Sequence, residues 1–271
     1  MIPELKFRLP KDIPMDEYPQ PEEYLVEARH LTEEAQKHGL VLRVMGPIAL
    51  HFYFPDYVDL YRRMERLGDR VFTDIDYASY GKHRSKLVPL FESNGYLLEK
   101  RAAMMAGGTR LIFFSKKIPM IDVFFDKLDY NHPIDYKNRL DLDEYCVSLA
   151  DLMLQKLQIV QINDKDIKDA MLLLLAAPLG ETDKHVINIR YISKLFSEEW
   201  GFYHTGTTNL KKIKATLIDV KALTSEQQKI ISDKVDQFLE IIEETPKSGK
   251  WKSRAKTGTS KLWYKEVTDW G

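Results

Sequence analysis

Apolar residues first recur at helical spacing between Pro21 and Gly39, where Tyr24, Ala28, Leu31 and Ala35 share one face and Gly39 stops the helix. LVLRVMG then predicts a short buried strand ending at Gly46. PIALHFYF predicts a helix that tolerates Pro47 in its first turn and breaks at Pro55. A second short helix is expected over YVDLYRRMERLG, stopped by Gly68. VFTDIDYAS, residues 71–79, reads as a strand, and KHRSKLVPLFESNG as a helix closed by Gly95. YLLEKRAAMMA, a Gly107-Gly108 turn and TRLIFFSKK follow the pattern of a hairpin, and IPMIDVFFDKL adds one more strand. Beyond about residue 140 the spacing becomes helical, over roughly 143–161, 164–177, 184–199, 207–220 and 225–244.

This order predicts an α+β fold. A small mixed β-sheet flanked by helices is expected over residues 1–140, with a helical C-terminal region over 141–245 and a basic tail over 246–271. Residues 1–20 are rich in proline and polar side chains and are expected on the surface.

With 44% hydrophobic and 30% charged residues, the 271-residue chain can bury a substantial core. The single cysteine, Cys146, excludes an internal disulfide and fits a reducing compartment. No apolar run reaches the length of a membrane span, and the first residues lack the apolar core of a signal peptide, so a cytoplasmic protein is expected. Net charge is −1, but seven Lys/Arg against Glu266 and Asp269 make the stretch from Pro246 onward basic. Trp251 and Trp263 alternate with those lysines, a composition that fits either RNA contact or a docked, solvated tail.

One pattern calls for a chemical reason. Asp74 and Asp76 alternate within an apolar strand, so both carboxylates point to one face, where like charges repel. Asp122, between Ile121 and Val123 in a later strand, can join them. Hard carboxylate oxygens at this spacing suit Mg²⁺ or Mn²⁺, and bound metal offsets the repulsion. The histidines are scattered and form no ligand set.

In this order of signals the chain resembles the nucleotidyltransferases of the DNA polymerase beta superfamily, in particular the AbiEii-type proteins of toxin–antitoxin systems. The likeness covers roughly residues 40–175. MGPIALH matches the family's glycine turn and helix start, RVFTDIDY its second motif, and IDVFF its third carboxylate. DLMLQKLQIVQINDKDIKDAMLLL matches a later helix pair.

The resemblance implies a metal-dependent transfer of a nucleotide from an NTP to a hydroxyl on RNA, protein or a small molecule. Asp74, Asp76 and Asp122 would be the catalytic and metal-binding residues. Gly46, Pro47, Ile48, Arg70, Thr73 and Lys156 would meet the nucleotide, with Lys165, Asp166 and Asp169 in support. A cognate antitoxin protein is the implied partner. The chain departs from the family at Pro47, which replaces a small residue whose N–H would face phosphate. A catalytically silent nucleotide- or partner-binding protein is therefore the alternative. Two other users of a DxD pattern fit less well. Nothing in a nucleotide-sugar glycosyltransferase accounts for the KDIKD helix, and a haloacid-dehalogenase-type phosphatase would carry its motif earlier, with Thr or Val at Ala78.

Overall fold

The computed structural model describes residues 8–69, 71–105 and 108–267. In chain order the elements begin with α1 (Pro21–Lys37), β1 (Leu42–Val44), α2 (Gly46–Tyr53), α3 (Val58–Arg63), β2 (Arg66–Asp69), β3 (Ile75–Ser79) and α4 (Arg84–Ser93). They continue with β4 (Leu97–Leu98), α5 (Lys100–Met105), β5 (Arg110–Phe114), β6 (Met120–Phe125), β7 (Lys127–Asp129) and β8 (Pro133–Asp135). The remainder comprises α6 (Leu149–Leu157), α7 (Asp164–Ala176), β9 (Leu179–Gly180), β10 (Ile187–Asn188), α8 (Ile189–Glu198), α9 (Trp200–Thr216), α10 (Ser225–Glu244) and α11 (Gly249–Ala255). The fold is α+β, with a five-stranded mixed sheet and flanking helices in the N-terminal half and a mostly helical remainder.

The chain forms two compact units, and neither is continuous in sequence. The first gathers Met1–Tyr53, Leu67–Lys127 and Asp135–Val147; the second gathers Phe54–Arg66, Leu128–Ile134 and Ser148–Gly271.

In the first unit the sheet order is β1-β3-β6-β5-β4, with β3 and β6 parallel and the other neighbours antiparallel. Alternation along β3 divides the faces: Ile75 and Tyr77 are fully buried, and the Tyr77 hydroxyl donates to the Ala28 carbonyl of α1. Phe91 of α4 stacks on Phe113 of β5, with ring centroids 4.4 Å apart, and lies edge-on to Tyr77. This face is the core. The opposite face carries Asp76, Asp122, Arg110 and Ile112, and Ala102 of α5 packs there with Ile112, Phe114 and Met120. Beyond β1, Val44 pairs with the strand-like stretch at Cys146: the Val44 amide donates to the Tyr145 carbonyl, and the Val147 amide to the Val44 carbonyl.

In the second unit α10 packs on α7, α8 and α9, while α6 packs on α7 and α9. AMLLLL of α7 is buried on nearly every side, which explains an apolar run with no alternation. Side-chain caps from Ser148, Asn163, Asn188, Thr224 and Ser248 accept backbone N–H groups at five helix starts. The basic stretch after Pro246 is docked within this unit. Trp251 lies edge-on to Tyr203, the Arg254 guanidinium sits 4.8 Å from the Trp200 ring centre, and the Trp263 indole donates to Thr205.

Two local expectations differ from the structure. The helix expected through Gly68 ends at Arg63, and the chain turns at Glu65, φ 51°, into the extended Arg66–Asp69. The first arm of the expected hairpin is two residues of strand followed by helix Lys100–Met105, because KRAAMM consists of strong helix formers.

Candidate functional site

Parallel pairing of β3 with β6 sets Asp76 directly beside Asp122. Partners across a parallel pair share a face and lie about 4.8 Å apart at the backbone. Asp74, one residue ahead of β3, is close enough for its charge to act on Asp122. The register thus pairs Asp76 with Asp122, while Asp74 is near Asp122 without being part of that pairing. Asp74 and Asp76 are half-buried, whereas Asp122 is only 2% exposed.

The glycine turn belongs to the same place. Gly46 follows β1 with φ 62°, a conformation that disfavours any side chain. Its amide neighbour, Met45 N–H, donates to the Asp76 carbonyl at 2.8 Å. A Cβ on Gly46 would lie 3.2 Å from Asp76 Oδ2, so the missing side chain lets the carboxylate approach. Pro47 is partly exposed, and Ile48 and Ala49 are buried in the first turn of α2. Thr73 Oγ1 donates to Asp74 Oδ1 at 2.9 Å, fixing one carboxylate oxygen. Arg70 lies outside the described residues. His51 bonds the Pro47 carbonyl through Nδ1 and packs edge-on against Phe72, as a core histidine.

A residue that the sequence reading missed completes the cluster. Arg110 Nε donates to Asp122 Oδ1 at 2.7 Å, and Nη2 donates to Oδ2. Arg110 faces Phe124 across β5 and β6, two residues from Asp122 on the same face, and its guanidinium lies 5.1 Å from the Phe124 ring centre. Burial pushes the Asp122 carboxyl up to about 6; Arg110 opposes the shift and Asp74 adds to it.

The oxygens of Asp74 and Asp76 have the hardness that Mg²⁺ or Mn²⁺ requires. Asp122 has it too, but both its oxygens are engaged by Arg110. Among the described residues no group of three His, Cys, Asp or Glu is arranged to hold a metal ion. Asp74 and Asp76 offer oxygens of the kind such a cation takes, but with Asp122 they are not arranged as a three-ligand set in this structure.

The residues of the later helix pair meet each other inside the second unit. Lys156 Nζ lies 2.8 Å from Asp166 Oδ1 and 2.8 Å from Asp169 Oδ2. Arg66 donates to both oxygens of Asp169, at 2.6 and 3.0 Å, and the Tyr61 hydroxyl donates at 2.7 Å. Burial would raise Asp169, but Lys156 and Arg66 outweigh it and hold the carboxyl well below the usual range. Burial likewise opposes the charge on Lys156, and Asp169 and Asp166 outweigh it, so its ammonium is held above the ordinary value. Lys165 is exposed on α7. Tyr61 and Arg66 could not have been found from sequence, since they lie more than a hundred residues from Asp169.

No protein-family model matches this chain, and comparison with curated proteins and with solved structures finds no match.

Proposed function

We propose that the chain is a metal-dependent nucleotidyltransferase, moving a nucleotide from an NTP to a hydroxyl acceptor. The observation that carries this reading is the register that sets Asp76 beside Asp122, with Asp74 two residues back and the Gly46 turn against Asp76. Carboxylates gathered on one face of a sheet are costly unless cations offset them; Arg110 serves Asp122, and a divalent ion is the further cation this reading assigns to the accessible pair. The likeness of MGPIALH, TDIDY and IDVFF to the motifs of AbiEii-type nucleotidyltransferases supports the same reading.

Mg²⁺ or Mn²⁺, when bound, supplies neutralisation of the triphosphate and of the attacking oxygen. Asp74 and Asp76 would hold that cation, and Thr73 keeps Asp74 oriented. The Ile48 and Ala49 amides at the start of α2 present N–H groups to phosphate; Pro47 presents none. Lys156, Asp166 and Asp169 act in this reading by rigidifying the second unit, since each ionic group there is already paired. An acceptor RNA and a protein antitoxin are the partners proposed with this activity.

A second reading has its own observation. With Pro47 lacking an amide proton and Arg110 on Asp122, the chain could bind a nucleotide or a partner without turnover. Incubation with each labelled NTP, Mn²⁺, and cellular RNA or protein separates the two. Incorporation that disappears in Asp74→Asn and Asp76→Asn, with both variants folded, supports the transferase. Metal-dependent NTP binding with no incorporation in any fraction supports the silent binder.

A further inference from the structure

Arg110 and Asp122 are an unequal pair. Asp122 lies in the sheet interior, whereas the Arg110 side chain is 21% exposed and reaches in from the start of β5. Backbone pairing of Arg110 opposite Phe124 fixes its Cα, but four side-chain torsions remain to move the guanidinium. The ring of Phe124 offers that guanidinium a cation–π contact that does not depend on Asp122. Leaving Asp122 therefore carries Arg110 toward water from a position already beside the Phe124 ring, while Asp122 itself cannot follow.

The electrostatics say when it would leave. A guanidinium brings one positive charge, and here Nε and Nη2 of Arg110 donate to the two oxygens of Asp122. A divalent cation brings two charges and can bridge carboxylates on adjacent strands, and Asp76 is the register neighbour of Asp122. In the absence of metal, Arg110 keeps Asp122 from standing as a buried, uncompensated anion.

We propose that Arg110 is a built-in counter-cation that competes with divalent metal for Asp122, so that completion of the acidic cluster requires its displacement. This inference rests on reading Asp74 and Asp76 as a metal site. It assigns Arg110 a specific role: a positioning residue that sets how tightly the cluster takes metal.

Manganese titration followed by electron paramagnetic resonance tests both levels. Wild-type protein is expected to bind Mn²⁺, and Arg110→Gln to bind it at least about ten-fold more tightly or to take up a second ion. Arg110→Lys, which keeps the charge, should stay close to wild type. Adding Asp122→Asn to Arg110→Gln should cancel the gain. Equal affinity and stoichiometry in wild type and Arg110→Gln would overturn the competition and leave the metal reading standing. No Mn²⁺ binding by either protein would overturn both. Should Arg110→Gln not fold, the wild-type protein still decides. Phenylglyoxal modification, read at Arg110 by peptide mass mapping, should run several-fold faster in saturating Mn²⁺. An unchanged or slower rate overturns the proposal.

Discussion

Each unit holds a cluster of acidic side chains, and the two clusters are built on different balances. In the second unit, Asp166 and Asp169 meet Lys156 and Arg66 one for one, and Tyr61 adds a neutral donor. Every member is nearly inaccessible. In the first unit, Arg110 pairs with the buried Asp122, and the register neighbour Asp76 and the nearby Asp74 stay half-open beside a glycine turn. A matched, buried network fixes conformation, because removing any charged member strands an opposite charge. Half-open carboxylates beside a buried, ion-paired one are where the proposed ligand would act. Motif likeness in the sequence treats Lys156 and Asp76 as parts of one machine; in the structure Lys156 pairs with Asp166 and Asp169 within the second unit.

The largest expected effect breaks the matched network. Asp169→Asn removes the carboxylate shared by Lys156, Arg66 and Tyr61, and should cost about 3–5 kcal/mol at neutral pH. Urea unfolding would read it as a lowered midpoint at constant slope. The same group carries a pH signature. Its native carboxyl is held below the unfolded value, so its stabilisation is complete above about pH 4 and is lost as pH falls through the native value. The gap between wild type and Asp169→Asn should therefore close on acidification below about pH 4. A loss below about 1 kcal/mol at pH 7 would place the network among weak surface pairs.

Next in size is a pH slope of the opposite sign in the first unit. Asp122 is pushed up to about 6 by burial, against Arg110. Between about pH 4 and that value the native state holds a proton that the unfolded chain has lost. Stability contributed by this group should thus fall as pH rises across the window, by something on the order of 2–3 kcal/mol. Measured with EDTA present, Asp122→Asn should flatten that segment of the profile and leave the acid limb below about pH 4 unchanged. An identical profile in wild type and variant would mean that Arg110 holds Asp122 near the ordinary carboxylate value.

Why some of this was legible in the sequence and some not follows from the range of the interactions. Asp76 stood out because strand alternation fixes which face it shares, and Asp122 because Ile121 and Val123 mark its strand. Both depend on neighbours within a few residues. The Gly46 turn was legible for the same reason, as the stop after an apolar run. Arg110 was hidden because its meeting with Asp122 depends on the register between β5 and β6, which no local pattern in either strand fixes. Tyr61 and Arg66 were hidden because they join Asp169 across the second unit from a segment expected to be continuous helix. Docking of the basic stretch depended on Tyr203, Trp200 and Thr205, about fifty residues earlier, and no local pattern announces such pairs.

Gly46 joins backbone strain to the carboxylate cluster. Gly46→Ala places a Cβ at φ 62° and 3.2 Å from Asp76 Oδ2. The left-handed backbone costs about 1–2 kcal/mol for a residue with a side chain. Asp76 must also shift by a few tenths of an ångström, so Mn²⁺ affinity should fall together with the melting temperature. Lower stability with unchanged metal affinity would separate the turn from the site.

The smallest expected change in stability is at Pro47, and it bears most directly on the accessible cluster. Pro47 is the second residue of α2 and only partly buried, so Pro47→Ser opens no core cavity. The proline restricts the unfolded chain, and losing that restriction should cost about 0.4–1 kcal/mol. Against this the serine adds a backbone N–H at a helix start, beside the Gly46 turn that meets Asp76. A hydrogen bond to a charged phosphate contributes about 1.5–3 kcal/mol, so metal-dependent NTP affinity should rise about ten-fold or more. Calorimetric titration in Mg²⁺ reads that gain, and a thermal melt reads the small loss. Affinity rising while stability falls is the behaviour of a site selected for binding, the opposite of the Asp169 network, where stability is the whole effect. If NTP affinity is unchanged by the new donor, the start of α2 does not face the phosphates, and the likeness at MGPIALH carries fold alone.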